Sequence, residues 1–165
     1  MIAYYAYPFI FIRNSIMAKR LNYFTASPQA MEILLTQENY LEKQFTGCTS
    51  LWELVKLRVS QINQCAYCID MHSKDALNQG ESIERIYGLN AWRDMPFYSE
   101  EEKNALNWAE LITSGQAVTD LQYQNAQNVF GEQYLVDLTI AVNAINSWNR
   151  IAKAFKPDVG SYKTS

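Results

Sequence analysis

The chain lacks the features that mark a nucleic-acid-binding or β-sheet protein. Its 14 lysine and arginine residues are outnumbered by 17 aspartate and glutamate residues, for a formal net charge of −3. A phosphate-binding surface needs a basic stripe, and because none is present, nucleic acid is not expected as a partner. Alternation of apolar and polar residues with a period of two is missing, as are Asn-Gly turn pairs, so strands and hairpins are not predicted.

Cysteine is scarce as well. The chain holds three cysteines, an odd number, with no wider set of paired positions, which argues against a framework of structural disulfides. This pattern predicts a protein of the reducing cytoplasm rather than a secreted one. Cys65 and Cys68 lie close together, whereas Cys48 has no partner at motif spacing and is predicted to be inert.

The first sixteen residues are apolar and aromatic, unlike the residues that follow. Their apolar run is too short to cross a membrane, and it lacks the basic start and small-residue cleavage site of a secretory signal. We interpret residues 1–16 as an N-terminal extension that arises from start-site choice or cloning, the alternative being a segment that docks on a membrane or partner. Residues 17–157 are predicted to form one domain, and residues 158–165 a polar tail that frays.

Signals for helix starts and stops divide the domain into about six to eight helices. Ser or Thr followed three residues later by Glu or Gln is the signature of a capping box, and Gly commonly follows the last turn. We predict helices from Pro28 to about Gln44, from about Ser50, from about Asn63 to near Gly80, after Ser82, from Ser99 to Gly115, from Thr119, and from about Gln133 to Lys156.

Two further stretches are expected to contribute to packing. The aromatic connection over residues 90–97 is predicted to be packed, with Trp92 and Phe97 closing over the core. The last helix is the most apolar, and we place it against the helix that carries the CxxC pair or against another subunit. Its polar row of Asn143, Asn146 and Asn149 needs hydrogen-bond partners wherever it is buried.

The residues that carry chemistry lie between Glu53 and His72, the only histidine. Cys65 and Cys68 are three residues apart, and His72 follows four residues later. On a helix beginning near Asn63, this spacing places all three side chains on one face. A CxxC pair at a helix N-terminus gains a stabilising dipole for the thiolate and a partner for disulfide formation. The motif therefore predicts redox chemistry in which a short-range disulfide forms and is reduced again.

Glu53 lies twelve residues before Cys65, which is about 18 Å along an unbroken helix. It can approach the thiols only if the polar segment 60–64 ends one helix and a second helix starts at an angle. That break would fold Glu53 back over His72 and give a Glu, His and Cys relay. In the alternative role, Glu53 forms a capping box with Ser50 and does no chemistry.

The motif consists of Glu53, a gap of eleven residues, the CxxC pair, a gap of three residues and His72. This pattern resembles the AhpD-like branch of the carboxymuconolactone decarboxylase family. The resemblance extends from about Met17 to the last predicted helix. It implies an all-α, single-domain, AhpD-like helical bundle with the CxxC motif at a helix N-terminus. It also implies assembly into dimers, trimers or hexamers, and a thiol-dependent alkylhydroperoxidase activity without haem, metal or other cofactor.

The resemblance also implies a role for each residue of the motif. Cys68 would be the peroxidatic cysteine that attacks a small hydroperoxide, and Cys65 the resolving one. His72 would act as the base near Cys68, with Glu53 completing the proton relay, and an external dithiol or protein reductant would reset the disulfide. One residue departs from the pattern: the best-known peroxidases have a second histidine where this chain has Tyr67. A phenol with a pKa near 10 cannot shuttle protons at neutral pH as imidazole does.

Other functions remain open from the sequence. A disulfide-exchange or redox-sensing protein would use the same CxxC pair with little peroxide turnover. Lactone decarboxylation is suggested only by the name of the family. The resemblance implies that the decarboxylating branch lacks the CxxC pair, so Cys65 and Cys68 count against this function. Two cysteines, His72 and Glu53 could also supply four zinc ligands, but a structural zinc site usually has a second closely spaced pair, so no metal is predicted.

Overall fold

A computed structural model of the chain has an all-α fold, as predicted. It describes residues 19–47 and 49–164, so the predictions for residues 1–16 and Cys48 lie outside the described residues. Within that range there are eight α-helices, a short 3-10 turn at Leu89–Ala91, and no strand. The helices are α1 (Tyr23–Ala26), α2 (Pro28–Gln44), α3 (Thr49–Ile62), α4 (Ala66–Asn78), α5 (Ile83–Gly88), α6 (Glu100–Ser114), α7 (Asp120–Phe130) and α8 (Glu132–Phe155).

Capping boxes fix the starts of α6 and α7, as the sequence predicted. The hydroxyl of Ser99 accepts the backbone N–H of Glu102, whose side chain in turn accepts the N–H of Ser99. Thr119 and Gln122 form the same reciprocal pair at the start of α7. Gly115 ends α6 with a φ of 68°, in the left-handed region that glycine enters without strain.

Helix α3 lies at the centre of the bundle, where it packs against α4, α6 and α8. Its apolar side chains Leu54, Val55 and Val59 are completely buried. Helix α8 also contacts α4, which confirms its predicted position against the CxxC helix. None of the helices in the described part of the chain is long and apolar enough to span a bilayer.

The prediction that Trp92 and Phe97 both close over the core is half right. Trp92 is buried and donates its indole N–H to Glu110 at 2.9 Å. Phe97 is 47% exposed, and the neighbouring Tyr98 takes the interior position instead, with its hydroxyl donating to the backbone carbonyl of Arg85. The carbonyl of Arg85 accepts the hydroxyl, so the ring of Tyr98 is buried without leaving its polar group unpaired.

Part of the polar tail after Pro157 is hydrogen-bonded to α4, a contact that the sequence did not predict. The backbone N–H of Gly160 donates to Asp70 at 3.2 Å, and the Tyr162 hydroxyl donates to Asp75 at 2.8 Å. Lys74 reaches the backbone carbonyl of Tyr162 at 3.2 Å. These side chains of α4 supply the hydrogen bonds that hold the tail against the CxxC helix.

The polar row on α8 is satisfied where it is buried. Asn143 is exposed, whereas Asn146 and Asn149 are buried. The side-chain amide of Asn63 donates to both buried asparagines, at 2.8 and 2.9 Å, and Asn149 donates to the hydroxyl of Ser60 at 3.1 Å. The network therefore ties α8 to the end of α3, directly before the CxxC motif.

Replacing Asn149 by alanine is expected to lower the free energy of unfolding by about 2–3 kcal/mol, because it removes one acceptor of Asn63 and the amide donor to Ser60 inside the bundle. Asn143→Ala is the matched control on the exposed side of the same row, and we expect it to cost less than about 0.5 kcal/mol. Urea unfolding measures both. Equal losses in the two variants would contradict the structural role assigned to the buried network.

Candidate active site

The chain reverses between α3 and α4 at the polar segment that the sequence marked as a helix break. Helix α3 ends at Ile62, and Gln64 adopts a φ of 54°, in the left-handed region. The backbone N–H of Cys65 then donates to the carbonyl of Ser60 at 3.0 Å. Helix α4 begins at Ala66 rather than near Asn63, so Cys65 is its N-cap residue and lies outside the helix, while Cys68 and His72 lie within it.

The reversal brings Glu53 and His72 together. Nδ1 of His72 lies 3.0 Å from Oε2 of Glu53, and both side chains are buried. Ser50 lies inside α3, and its hydroxyl donates to Glu81 at 2.6 Å. The capping-box alternative for Glu53 is therefore wrong, because the helix starts before Ser50 and the carboxylate of Glu53 faces the histidine.

Cys65 and Cys68 form a disulfide across the N-terminus of α4, with their Cα atoms 5.3 Å apart. Both cysteines are almost fully buried, at 1% and 2% exposure. Cys68 and His72 line a cavity of about 280 Å³, most of whose wall is aromatic or aliphatic, and Cys65 is not part of this wall. The cavity gives a small molecule access to the side of the motif that holds Cys68.

Nε2 of His72 has a different environment from Nδ1, which contacts Glu53. Nε2 is buried, and it has no hydrogen-bond partner among the described residues. Burial acts to raise the pKa of Glu53, but the hydrogen bond with His72 and the positive charge of Lys56 outweigh it, so the pKa of Glu53 is lowered. Because an ionised carboxylate can only accept a hydrogen bond, Nδ1 of His72 donates to an ionised Glu53, and in a neutral imidazole of this tautomer Nε2 is the nitrogen that can accept a proton.

Acidification is expected to destabilise the fold through Glu53. Its folded-state pKa lies below the ordinary 4.5, so its stabilising contribution is full above that pH and is lost as the pH falls through the folded value. Glu53→Gln should lower stability at neutral pH and make the unfolding free energy fall less steeply below pH 4.5. Urea unfolding across this range measures the slope, with the exposed Glu101→Gln as control. An unchanged slope in Glu53→Gln would contradict the lowered pKa.

Sequence reasoning missed two charged residues of this site. Lys56 lines the cavity, forms an ion pair with Glu53 and lies 4.8 Å from the ring centroid of Trp52. Asp75 also lines the cavity, and one of its carboxylate oxygens lies within 4.8 Å of ligand atoms of Glu53 and His72. Both could have been found from helical spacing, since each follows a predicted site residue by three positions on the same helix.

The positions of Glu53, His72 and Asp75 test whether the residues named from the sequence can form a zinc site. Glu53, His72 and Asp75 are close enough to share a cation, but this group contains neither cysteine. The two cysteines are bonded to each other, Glu53 pairs with Lys56, and Asp75 accepts the hydroxyl of Tyr162. Among the described residues, the four ligands named from the sequence therefore do not form one metal-binding group.

Comparison with known proteins places this arrangement in a family. Residues 49–111, which span Glu53, the CxxC motif and His72, match the model of the carboxymuconolactone decarboxylase family. The uncharacterized protein YdfG of Bacillus subtilis is 44% identical over 140 residues, covering 84% of this chain and 95% of YdfG. The chain belongs to the carboxymuconolactone decarboxylase family. Among solved structures, the fold is similar to a protein of unknown function from Agrobacterium tumefaciens, a candidate antioxidant defence protein AhpD, with a TM-score of 0.77 and 35% identity over 89% of this chain and 99% of that one.

A more distant comparison supports the fold alone. An uncharacterized peroxidase-related protein from Silicibacter has a TM-score of 0.72 at 17% identity, covering 84% of this chain and 74% of that one. The AhpD-like bundle predicted from the resemblance is confirmed. Membership of the family does not select a reaction.

Proposed function

We propose that the protein is a thiol peroxidase that reduces small hydroperoxides through a dithiol and disulfide cycle of Cys65 and Cys68. The observation that carries the proposal is that Cys68 and His72 line the same cavity one helical turn apart on α4, with Nδ1 of His72 held by Glu53. A nucleophile, a base and a group that orients the base are the parts that thiol chemistry of this kind requires.

The first step uses the reduced protein. Cys68 lies in the first turn of α4, where the helix dipole favours the thiolate, and Nε2 of His72 accepts its proton. The thiolate attacks the terminal oxygen of the hydroperoxide, and the O–O bond breaks as the S–O bond forms. Cys68 becomes a sulfenic acid, and the proton carried by His72 passes to the departing alkoxide to give an alcohol.

The second step forms the disulfide between Cys65 and Cys68. The thiol of Cys65 attacks the sulfur of the Cys68 sulfenic acid, which forms the disulfide seen in the structure and releases water. Two electrons have then passed from the two thiols to the peroxide. An external dithiol, either a small molecule or a reduced protein, exchanges with the disulfide and is itself oxidised while both cysteines return to thiols.

Tyr67 shapes the cavity without replacing a histidine as a proton carrier. It lines the cavity and packs on the cluster formed by the two cysteines and Ala152. We assign proton transfer to His72 and Glu53 alone, because these are the two side chains joined by the hydrogen bond at Nδ1. The result is a relay with one histidine instead of two.

Disulfide exchange or redox sensing is the alternative, and the disulfide itself is compatible with it. A protein partner would have to reach sulfur atoms of residues that are 1% and 2% exposed, whereas a small oxidant needs only the cavity. The burial of the cysteines therefore favours a small substrate for the oxidation step. Reduction by a protein would require local opening of the N-terminus of α4.

A comparison of oxidants separates the two functions. The reduced protein is mixed with cumene hydroperoxide, hydrogen peroxide or diamide, a thiol oxidant that is not a peroxide, and thiol loss is followed by stopped flow. A peroxidase is expected to react with at least one peroxide about 100-fold faster than free cysteine does, because general base catalysis contributes that much or more. Fast loss with diamide but peroxide rates equal to those of free cysteine would support the alternative.

We also propose that subunits associate. Ile33, Tyr87, Leu121 and Val136 are apolar or aromatic side chains that are more than half exposed, at 72%, 77%, 68% and 57%. Burying such side chains between subunits removes apolar surface from water. Sedimentation velocity at several concentrations tests this, and a monomer at all of them would contradict it.

A further inference from the structure

We infer that the C-terminal segment completes the active site: Tyr162 holds Asp75 beside His72 as a second carboxylate, which stabilises the imidazolium formed when His72 accepts the Cys68 proton. This inference rests on the proposed function, because it uses His72 as the base. Tyr162 and Asp75 are positioning residues, since they act on the thiol through His72.

The first support is the docking of the tail on α4. Three hydrogen bonds join them: Gly160 to Asp70, Lys74 to the carbonyl of Tyr162, and the Tyr162 hydroxyl to Asp75, at 3.2, 3.2 and 2.8 Å. Lys74 also forms an ion pair with Asp70 at 2.8 Å, which links the anchoring side chains to one another. The tail therefore lies along the helix that carries Cys68 and His72.

The second support is the position of Asp75. Its carboxylate is within 4.8 Å of ligand atoms of both Glu53 and His72, and it lines the same cavity as Cys68. The groups that act on its charge are Glu53 and Lys56 of α3, His72 of its own helix and Tyr162 of the tail. The other titratable side chains on the cavity wall are Tyr23, Glu38 and Tyr67.

The hydrogen bond from Tyr162 favours the ionised form of Asp75. Burial raises the pKa of Asp75, and the hydrogen bond from Tyr162 opposes that rise. Burial and the same hydrogen bond raise the pKa of Tyr162 to about 12, so its hydroxyl remains a donor throughout the neutral range. Without this donor, the pKa of Asp75 would rise further and a larger fraction of the carboxyl would be neutral.

A negative charge here acts on two groups with opposite effects. It stabilises an imidazolium at His72 and destabilises a thiolate at Cys68. Asp75 follows Cys68 by seven residues, about 10 Å along the helix, whereas its oxygen is within 4.8 Å of a ligand atom of His72. Since the Coulomb energy falls with distance, the effect on the imidazolium is the larger one, and ionised Asp75 favours proton transfer from Cys68.

The test measures the reactivity of the Cys68 thiol directly, without peroxide. In a background with Cys48→Ser and Cys65→Ser, Cys68 is the only cysteine, and its alkylation by iodoacetamide is followed as a function of pH. Tyr162→Phe and Asp75→Asn are each expected to move the midpoint of the profile upward and to slow alkylation at pH 7 about 3- to 10-fold. The double variant should be no slower than Asp75→Asn alone, because the two residues act as one unit.

The control is Tyr123→Phe, which removes a hydroxyl from a side chain that is 46% exposed and does not line the cavity, and its profile should match the background. An unchanged midpoint in Tyr162→Phe would overturn the inference, and so would an effect of Tyr162→Phe that persists undiminished when Asp75 is already asparagine. Iodoacetamide needs only the thiolate, so the profile can shift as expected even if the protein fails to reduce peroxides. Failure of the proposed function and failure of this inference are therefore distinguishable.

Discussion

Cys68→Ser is expected to remove the fast reaction with hydroperoxide, lowering its rate at least about 10³-fold. The serine hydroxyl remains protonated at neutral pH and cannot take up the peroxide oxygen as a thiolate does when it becomes a sulfenic acid. The dipole at the start of α4 and the neighbouring His72 would be unchanged, so the loss would measure the sulfur itself. Stopped-flow thiol loss and product alcohol give the rate.

Cys65→Ser should behave differently, because Cys65 is not on the cavity wall. We expect it to react once with peroxide and then to accumulate the Cys68 sulfenic acid, which dimedone traps and mass spectrometry locates. Cys48→Ser should retain the full cycle and serves as the control. A fast reaction in Cys68→Ser together with an inert Cys65→Ser would reverse the proposed roles of the two cysteines.

His72→Asn is expected to slow the reaction with peroxide about 10²- to 10³-fold near neutral pH, the contribution of a positioned base. The loss should shrink as the pH is raised and hydroxide removes the thiol proton instead. Glu53→Gln keeps a side chain of similar size beside Nδ1 but removes its charge, so we expect a smaller loss, about 10-fold. Circular dichroism and the thermal midpoint establish that both variants are folded.

A pH profile separates catalysis from structural support. If His72 is the base, the rate of its asparagine variant rises with pH up to the ionisation of an ordinary thiol, while the parent is already fast at pH 7. A uniform decrease at every pH in His72→Asn would instead indicate damage to the cavity and would contradict the role of the histidine as a proton acceptor.

Much of the site could be predicted from local spacing. The polar segment 60–64 marked the break between α3 and α4, and that break is what brings Glu53 to His72. The spacing of Cys65 and Cys68 suited a short-range disulfide, which the structure contains. These features depend on residues within one helix pair, where the sequence constrains geometry closely.

The remainder depends on contacts that spacing does not encode. Tyr162 lies 87 residues from Asp75, and a polar tail carries no periodicity that would reveal its docking on α4. Tyr98 rather than Phe97 is the buried ring, and its hydroxyl donates to a carbonyl on α5, a contact that the sequence pattern does not reveal. The cavity is likewise formed by side chains from several helices, so its position beside Cys68 becomes visible only in the folded chain.

The stoichiometry of a single turnover tests the central claim most directly. Fully reduced protein is mixed with one equivalent of cumene hydroperoxide, quenched, and analysed by intact and peptide mass spectrometry with quantification of cumyl alcohol. The account predicts one alcohol formed per chain, a loss of two hydrogens, and a disulfide that joins the peptides of Cys65 and Cys68. Unreacted peroxide with both thiols intact, or oxidation confined to Cys48, would contradict it.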